Sequence, residues 1–316
     1  MNLVSRKKLW LFISGIVITL SVLIFFAGWR ITGTPLNFGI DFTGGSIIEI
    51  SLTGDISESQ VREKVQGLDL GSVIVQSIPG ETAQERHFLI RTPVLSPDKL
   101  VELEQEIKDS FVGVTVLRSE MVGPTIGALL RRQAVTALIL ALVLIMFYIA
   151  WRFDIPYAIV TILALIHDVA VTIGAFALFR FEINSSFVAV ILTLVGYSVM
   201  DSVVVLDRVR ENRKLHSGAA FSKIVNMSIL QSFRRSINTS VTTLLAVLAI
   251  FIFGPVVLRP FSFGLGVGLI TGSYSSLFII SMLLVVWQEW REKRPRKAYA
   301  RKVNEPSKTK STKRKT

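Results

Sequence analysis

The chain has 316 residues, of which 51% are hydrophobic and only 18% charged, a mean hydropathy of +0.55 and a formal net charge of +12. So few charged residues, combined with long apolar runs, exclude an ordinary soluble protein and indicate an integral membrane protein. The chain has no cysteine, which excludes disulfides, thiolate metal sites and cysteine nucleophiles.

Six apolar runs are long enough to cross a bilayer, whose hydrocarbon core of roughly 30 Å requires about 20 helical residues. The first run follows a short basic segment and is too long for the apolar core of a cleavable signal peptide, so we expect an uncleaved helix. The predicted spans are residues 9–29, 134–151, 156–179, 185–206, 236–254 and 261–288.

The segment between the first two runs, residues 31–122, has the pattern of a soluble domain. Its periodicity predicts six elements in the order β-α-β-β-α-β, the ferredoxin-like arrangement. Ser57, followed by Gln60, predicts the start of the first helix, and the lone His87 does not indicate a ligand site. The predicted elements are strand 46–52, helix 57–66, strands 72–78 and 87–92, helix 96–110 and strand 112–117.

The distribution of basic residues predicts the orientation of the spans. If the amino terminus is cytoplasmic, 23 of the 35 Lys and Arg residues lie on the inner side, as the positive-inside rule requires. We therefore expect both termini in the cytoplasm and the soluble domain outside. The predicted parts are residues 1–30 (terminus and first helix), 31–122 (domain), 123–289 (five further helices) and 290–316 (basic tail).

Two patterns that resemble binding sites have simpler explanations. The basic tail adjoins a membrane helix, where such charge contacts anionic lipid headgroups more often than nucleic acid, so no nucleic-acid partner is expected. The motif Gly264–Gly268 lies inside an apolar span, and Gly264, Gly268 and Gly272 repeat every four residues on one face, which favours helix packing over nucleotide binding. The chain has no Walker-type ATP motif.

Two carboxylates lie within predicted spans, where a charge costs at least about 2.5–3.5 kcal/mol and commonly faces a partner or a water-filled path. Asp168 is near the middle of the third span, next to His167. Asp201 lies in the fourth span, about 8 Å from its inner end at about 1.5 Å per residue. Tyr197 and Ser198, one turn earlier, offer hydroxyl groups on the same face.

A counter-charge for Asp201 is predicted at the start of the fifth span, where Arg234 and Arg235 enter from the cytoplasmic side. A static Asp–Arg pair that joins two helices is one interpretation. The other is a carboxylate that alternately pairs with arginine and binds a proton, because burial favours its neutral form and a nearby cation its charged form. His167 could join such a relay, although helix packing is its simpler role.

Several motifs occur along the chain in a distinctive order. They are Phe38–Gly45 with Glu49, Val122–Gly127, His167–Asp168, Gly196–Val204, Asp207–Asn212 and Arg235–Thr243. In this order they resemble the SecF-type members of the SecD/SecF family, within the RND class of proton-driven transporters. Met200 and Ser202 depart from the family pattern, which usually has Asn before Asp201 and Thr after it. The chain also ends soon after the sixth run, as in family members that are not fused to SecD.

The resemblance implies a subunit of the bacterial protein-export machinery in the cytoplasmic membrane, with no cofactor or metal and no enzymatic reaction. It implies that the protein works with SecD, uses the proton-motive force and promotes translocation of preproteins moved by SecA through the SecYEG channel. YidC, YajC and membrane lipids are further implied partners. Asp201 and Arg235 would form the proton-path pair, with Asp168 as a weaker candidate for the same path.

Two other hypotheses remain consistent with the residues. One is half of a proton-driven small-molecule or lipid exporter, although such chains normally contain two six-span halves with two large outer domains. The other is a structural scaffold without proton chemistry, which titration of Asp201 would distinguish.

Overall fold

The computed structural model describes residues 2–53, 56–66, 68, 70, 73–79, 85–111 and 113–303. Within these ranges six helices are long and apolar enough to cross a membrane, which confirms the six predicted spans. The sixth span is interrupted by one π-helical turn, Ser275–Ile279. The helices of the six spans are, in order, Lys7–Thr32, Pro124–Arg152, Ile155–Phe179, Ser185–Leu215, Phe221–Phe253, and Arg259–Tyr274 with Ile280–Val303.

The fourth and fifth helices extend well beyond their apolar runs. The fourth continues to Leu215 as a polar extension, and the fifth begins at Phe221. The two extensions pack together through Asn212, whose amide donates hydrogen bonds to Ser228 Oγ at 2.8 Å and Gln231 Oε1 at 2.7 Å. Because these contacts are polar, the apolar runs alone do not show where the two helices end.

The third, fourth and sixth spans form the centre of the bundle, and their close approach depends on glycine. A Cβ atom on Gly264 would lie 2.8 Å from Phe176, and one on Gly268 would lie 2.7 Å from Leu194 Cδ1. The packing role predicted for these glycines is therefore confirmed. The second span packs much less extensively and exposes apolar residues along most of its length.

The soluble domain has the predicted ferredoxin-like order. The strands in the described residues are β1 Asn37–Phe38, β2 Gly45–Thr53, β3 Ile74–Pro79, β4 Glu85–Thr92, β5 Thr115–Val122 and β6 Glu182–Ile183. The four-stranded sheet of the domain has the strand order β3-β4-β2-β5, with every neighbouring pair antiparallel. Helices Glu58–Gln66 and Pro97–Ser110 pack on this sheet, and Ile50 and Phe88 lie in the shared core.

The last domain strand is displaced from its predicted position. The sequence predicted residues 112–117, whereas β5 spans Thr115–Val122 and pairs with β2 along the edge of the sheet. Arg118 and Glu120 interrupt the apolar pattern because an edge strand has an exposed side. The capping box is confirmed: Gln60 N donates to Ser57 Oγ, and Ser57 N donates to Gln60 Oε1 at 2.9 Å. The predicted start of β3 at residue 72 falls outside the described residues.

A second, two-stranded sheet was not predicted. β1 pairs in parallel with β6, which lies in the turn between the third and fourth spans. Two-residue strands have no periodicity, so no local pattern indicates this pairing. The short helix Ile40–Thr43 follows β1 and ends at Gly44 and Gly45, whose φ angles of 73° and 133° favour glycine.

Candidate functional site

Asp201 lies in the interior of the bundle with 6% of its surface exposed. Its Oδ1 accepts a hydrogen bond of 2.6 Å from Ser236 Oγ of the fifth span. Its Oδ2 has no hydrogen-bond partner among the residues that the structure describes. The carboxylate therefore has one oxygen that is occupied and one that is available to accept a proton.

The predicted counter-charge, Arg235, lies on the neighbouring fifth span but does not form an ion pair with Asp201. Arg235 precedes Ser236 in the fifth span, and its side chain is exposed. No carboxylate–guanidinium contact within 4.0 Å joins the two side chains in the described part of the chain. Arg234 is exposed as well. This geometry differs from a static pair that locks the fourth and fifth spans together.

Asp168 is completely buried and has several hydrogen-bond partners. Its Oδ2 accepts from Ser198 Oγ at 2.8 Å and from Ser275 Oγ at 2.7 Å, while Oδ1 lies 3.0 Å from His167 Nδ1. Asp168 thus joins the third, fourth and sixth spans. Ser198, predicted to lie near Asp201, contacts Asp168 instead, and the hydroxyl of Tyr197 donates to Ser240 at 3.3 Å.

A row of buried serines, here called the serine seam, continues between the fourth, fifth and sixth spans. Hydroxyl groups of Ser202 and Ser276 are 2.9 Å apart, and those of Ser240 and Ser273 are 2.5 Å apart. A hydroxyl both donates and accepts, so these serines can bond to one another while other members of the row donate to Asp168 and Asp201. The members of the serine seam are Ser198, Ser202, Ser236, Ser240, Ser273, Ser275 and Ser276.

The π-helical turn supplies two of these serines. In a π-turn the hydrogen bonds skip one additional residue, and such turns often occur at functional sites. Here the turn places Ser275 against Asp168 and Ser276 against Ser202. The sixth span therefore contacts both the carboxylate network and the seam at the point where its backbone is irregular.

The site residues were predictable from sequence, but most of their partners were not. Ser236 and Ser240 are four residues apart on one helix face, as are Ser198 and Ser202. This helical spacing of small polar residues inside apolar spans is the signal that could have revealed the seam. Within the described ranges, no group of three His, Asp or Glu side chains could hold a metal ion.

Two models of known protein families match most of the chain. Residues 102–290 match the model of the protein export membrane protein SecD/SecF, C-terminal family. Residues 31–55 match the SecD/SecF GG motif, which contains β1, the helix Ile40–Thr43 and the glycine pair that ends it.

Individual relatives agree with this match. The chain is 40% identical over 258 residues to the protein translocase subunit SecDF of Thermus thermophilus, covering 81% of this chain and 35% of the relative. It is 37% identical over 263 residues to the protein translocase subunit SecF of Desulfurispirillum indicum, covering 80% of this chain and 82% of the relative. It thus spans about a third of the SecDF relative and most of the SecF relative.

A solved structure has the same fold. A crystal structure of SecDF from Thermus, described as a translocon-associated membrane protein, matches with a TM-score of 0.81 and 35% sequence identity. The match covers 92% of this chain and 39% of that one.

Proposed function

Because the chain belongs to the SecD/SecF family of protein-export membrane proteins, we propose that it is a protein translocase subunit that uses the proton-motive force to promote preprotein translocation. It is a multi-pass membrane protein, and the members of its family are components of protein export. We further propose that it lies in the bacterial cytoplasmic membrane with both termini inside, because most basic residues then face the cytoplasm.

The available oxygen of Asp201 is the observation that carries the proton-coupling proposal. When Asp201 is charged, Oδ1 accepts from Ser236 and Oδ2 accepts the incoming proton, which converts a buried anion into a neutral acid. When the proton leaves, the negative charge returns and the exposed guanidinium of Arg235 supplies the nearby positive charge. The attraction between the fourth and fifth spans therefore changes at each step, which gives proton movement a mechanical consequence.

Asp168 is the second group proposed for this path. Both of its oxygens already have partners, so it can exchange a proton only if the contacts with His167, Ser198 or Ser275 rearrange. Ser198 is one helical turn from Asp201 in the fourth span. A shift of that span would therefore alter the contacts of both carboxylates together.

The proposed partner is SecD. A relative that matches most of this chain is a SecDF protein, and this chain spans about a third of its length. The second span packs little against the rest of the bundle, which leaves an apolar face for lipid or for a partner helix. SecYEG, SecA, YidC, YajC and translocating preproteins are proposed as partners through the same family relationship.

The experiment compares Asp201→Asn with Asp207→Asn in membrane vesicles that import a preprotein with or without a proton gradient. Asn preserves the size and hydrogen-bonding ability of Asp201 but cannot ionise. We expect the Asp201 variant to lose the gradient-dependent part of translocation, while SecD still co-purifies with it. The control removes an exposed carboxylate six residues away, paired with Arg152 at 3.2 Å, and should retain that part. Full gradient-dependent translocation by Asp201→Asn at normal abundance would refute the proposal.

A further inference from the structure

Noncovalent contacts connect the soluble domain to the turn that precedes the fourth span. Besides the parallel pairing of β1 with β6, Gly39 N donates to Ile183 O at 2.9 Å. Asn37 Nδ2 donates to Arg180 O at 3.0 Å. These contacts, together with the side chains of Asp41, Arg91 and Glu182, are called the β1–β6 junction below.

Asp41 binds the first residue of the fourth span. Its Oδ2 accepts a hydrogen bond of 2.8 Å from Ser185 N, where the helix begins. The first backbone N–H groups of a helix have no partner within the helix, and the helix dipole favours a negative charge beside them. Asp41 therefore binds directly to the helix that carries Asp201, although it belongs to the segment next to the soluble domain.

Arg91 connects the sheet of the soluble domain to β6, just before the fourth span begins. This β4 residue donates from Nη1 to Asn37 Oδ1 at 2.8 Å, and its Nη2 lies 3.3 Å from Glu182 Oε2. The side chains of Arg91 and Glu182 are only 13% and 14% exposed. An ion pair with so little contact with water has a larger effect on structure than a surface pair.

Burial and nearby charges shift the pKa values of both Glu182 and Arg91, and each residue opposes the shift of the other. Burial raises the pKa of Glu182, opposed by Arg91 and Arg118, while Asp41 and Glu120 raise it further. Burial also lowers the pKa of Arg91, opposed by Glu182, and Arg118 and Arg180 add to the lowering. Removal of either partner would therefore leave the other as a largely buried charge that has lost its ion-pair partner.

We propose that Asp41, Arg91 and Glu182 are positioning residues that fix the soluble domain to the outer end of the fourth span, so that the domain moves with this span. The inference rests on the proposed function, because the movement that it transmits is the one that follows proton binding at Asp201. The β1–β6 junction stays closed throughout the cycle. It is the rigid joint through which a change within the membrane reaches the domain outside it.

The first test is the gradient-dependent part of translocation in the full-length Arg91→Gln variant. We expect a decrease of at least about five-fold, the lower end of typical coupling between distant sites. Arg62→Gln is the matched control, because Arg62 pairs with Glu58 in the same domain at 2.5 Å and away from the junction. The control should retain wild-type translocation. Wild-type behaviour of Arg91→Gln at normal abundance overturns the inference.

The second test closes the junction with a disulfide. Phe38 and Ile183 face each other across β1 and β6, and paired strands are about 4.8 Å apart, within the range that a disulfide spans. The chain has no cysteine, so Phe38→Cys with Ile183→Cys can form only this intramolecular bond. Oxidation should restore gradient-dependent translocation to Arg91→Gln and leave it unchanged when Arg91 is present.

The two tests distinguish a loss of coupling between the domain and the fourth span from a loss of protein stability. A general folding defect of Arg91→Gln would lower its abundance, which oxidation after purification cannot restore, whereas a coupling defect is repaired by the disulfide. If oxidation blocks the protein with Arg91 present, or fails to repair Arg91→Gln, the junction is not a rigid joint. Asp201→Asn is measured in parallel: its full activity refutes the proposed function, whereas its defect combined with a normal Arg91→Gln refutes only the inference.

Discussion

At the residue scale, the two membrane carboxylates have different surroundings. Asp168 has partners on both oxygens, whereas Asp201 has one oxygen without a hydrogen-bond partner among the described residues. Unsatisfied buried polar atoms are rare in native proteins, and each requires an explanation. We propose a proton site as the explanation for this oxygen, with the exposed Arg235 as the counter-charge.

The role of Arg235 can be tested by substitution. If it serves as the counter-charge of a proton carrier, Arg235→Met and Asp201→Asn should give similar losses of gradient-dependent translocation, and the double variant should be no worse than either. Arg235→Lys retains the charge without the planar fork and should be only partly impaired. Arg234→Met is the control, because Arg234 is an exposed neighbour and should be dispensable.

The scaffold hypothesis makes the opposite prediction for the same variants. If the charges only held two helices together, each single variant would lower protein abundance. The neutral double variant would then recover it, because no uncompensated charge would remain. Immunoblotting of membranes that contain each variant distinguishes the two cases. Recovery of abundance without a translocation defect would argue against the proton-carrier role.

At the element scale, the sixth span depends on small residues where it crosses the third and fourth. Gly268 faces Leu194 closely, whereas Gly266 lies on another face of the same helix, where an added Cβ would be 3.8 Å from its nearest neighbour. Close helix approach through small residues is typical of membrane bundles, where lipid offers no hydrophobic driving force for association. Two glycines two residues apart therefore have different roles.

We expect Gly268→Ala to destabilise the protein by about 1–3 kcal/mol, the usual range for an added methyl group in a packed interior. Gly266→Ala should be neutral or slightly stabilising, since alanine is the better helix former by about 1 kcal/mol. Thermal unfolding of both variants in detergent, monitored by light scattering, measures the difference between their melting temperatures. Equal melting temperatures would show that Leu194 moves aside without cost.

The soluble domain should fold without the membrane helices. Its sheet and two helices enclose their own apolar core, which includes Ile50, Phe88 and Leu103. We expect residues 36–122, expressed alone, to give a monomer with dispersed amide signals in an NMR spectrum. Collapsed signals for this piece, together with dispersed signals when it is mixed with SecD, would show that the core needs its partner.

The sequence predicted these elements to different extents for physical reasons. Long spans and the β-α-β-β-α-β order were predictable, because both depend on periodic burial. β5 was shifted because Arg118 and Glu120 on an edge strand hide the alternation. β1, β6 and the contact of Asp201 with Ser236 depend on residues distant in sequence, where no local pattern exists.

At the scale of the whole molecule, the two ends of the bundle differ in composition. One end contains the contacts of the amino terminus, where Leu3 N donates to Asn226 Oδ1 at 2.7 Å and Lys7 pairs with Glu289. The pair Arg152–Asp207 lies at this end as well. The other end contains the soluble domain and β6. The basic residues Lys7 and Arg152 therefore lie at the end opposite the domain.

This arrangement predicts the topology. A reporter that is active only outside the cytoplasm should be active when fused after Pro79 and silent when fused after Leu215 or Asn304. The physical reason is the excess of Lys and Arg in the segments assigned to the inner side, including residues 207–235 and the tail. Alkaline phosphatase activity of cells with each fusion is the measurement. An active fusion after Leu215 would overturn the six-span orientation.

The β1–β6 junction also has a consequence for biosynthesis. Asn37 and its partner Arg180 are 143 residues apart, so β1 leaves the ribosome long before the turn that contains β6 has been made. The sheet of the soluble domain has its contacts close together in the nascent chain and can form first, whereas the junction must wait until the third span has been inserted. A closed junction therefore marks a chain in which the first three spans have entered the bilayer in the correct orientation, and a chain inserted otherwise leaves Arg91 and Glu182 unpaired.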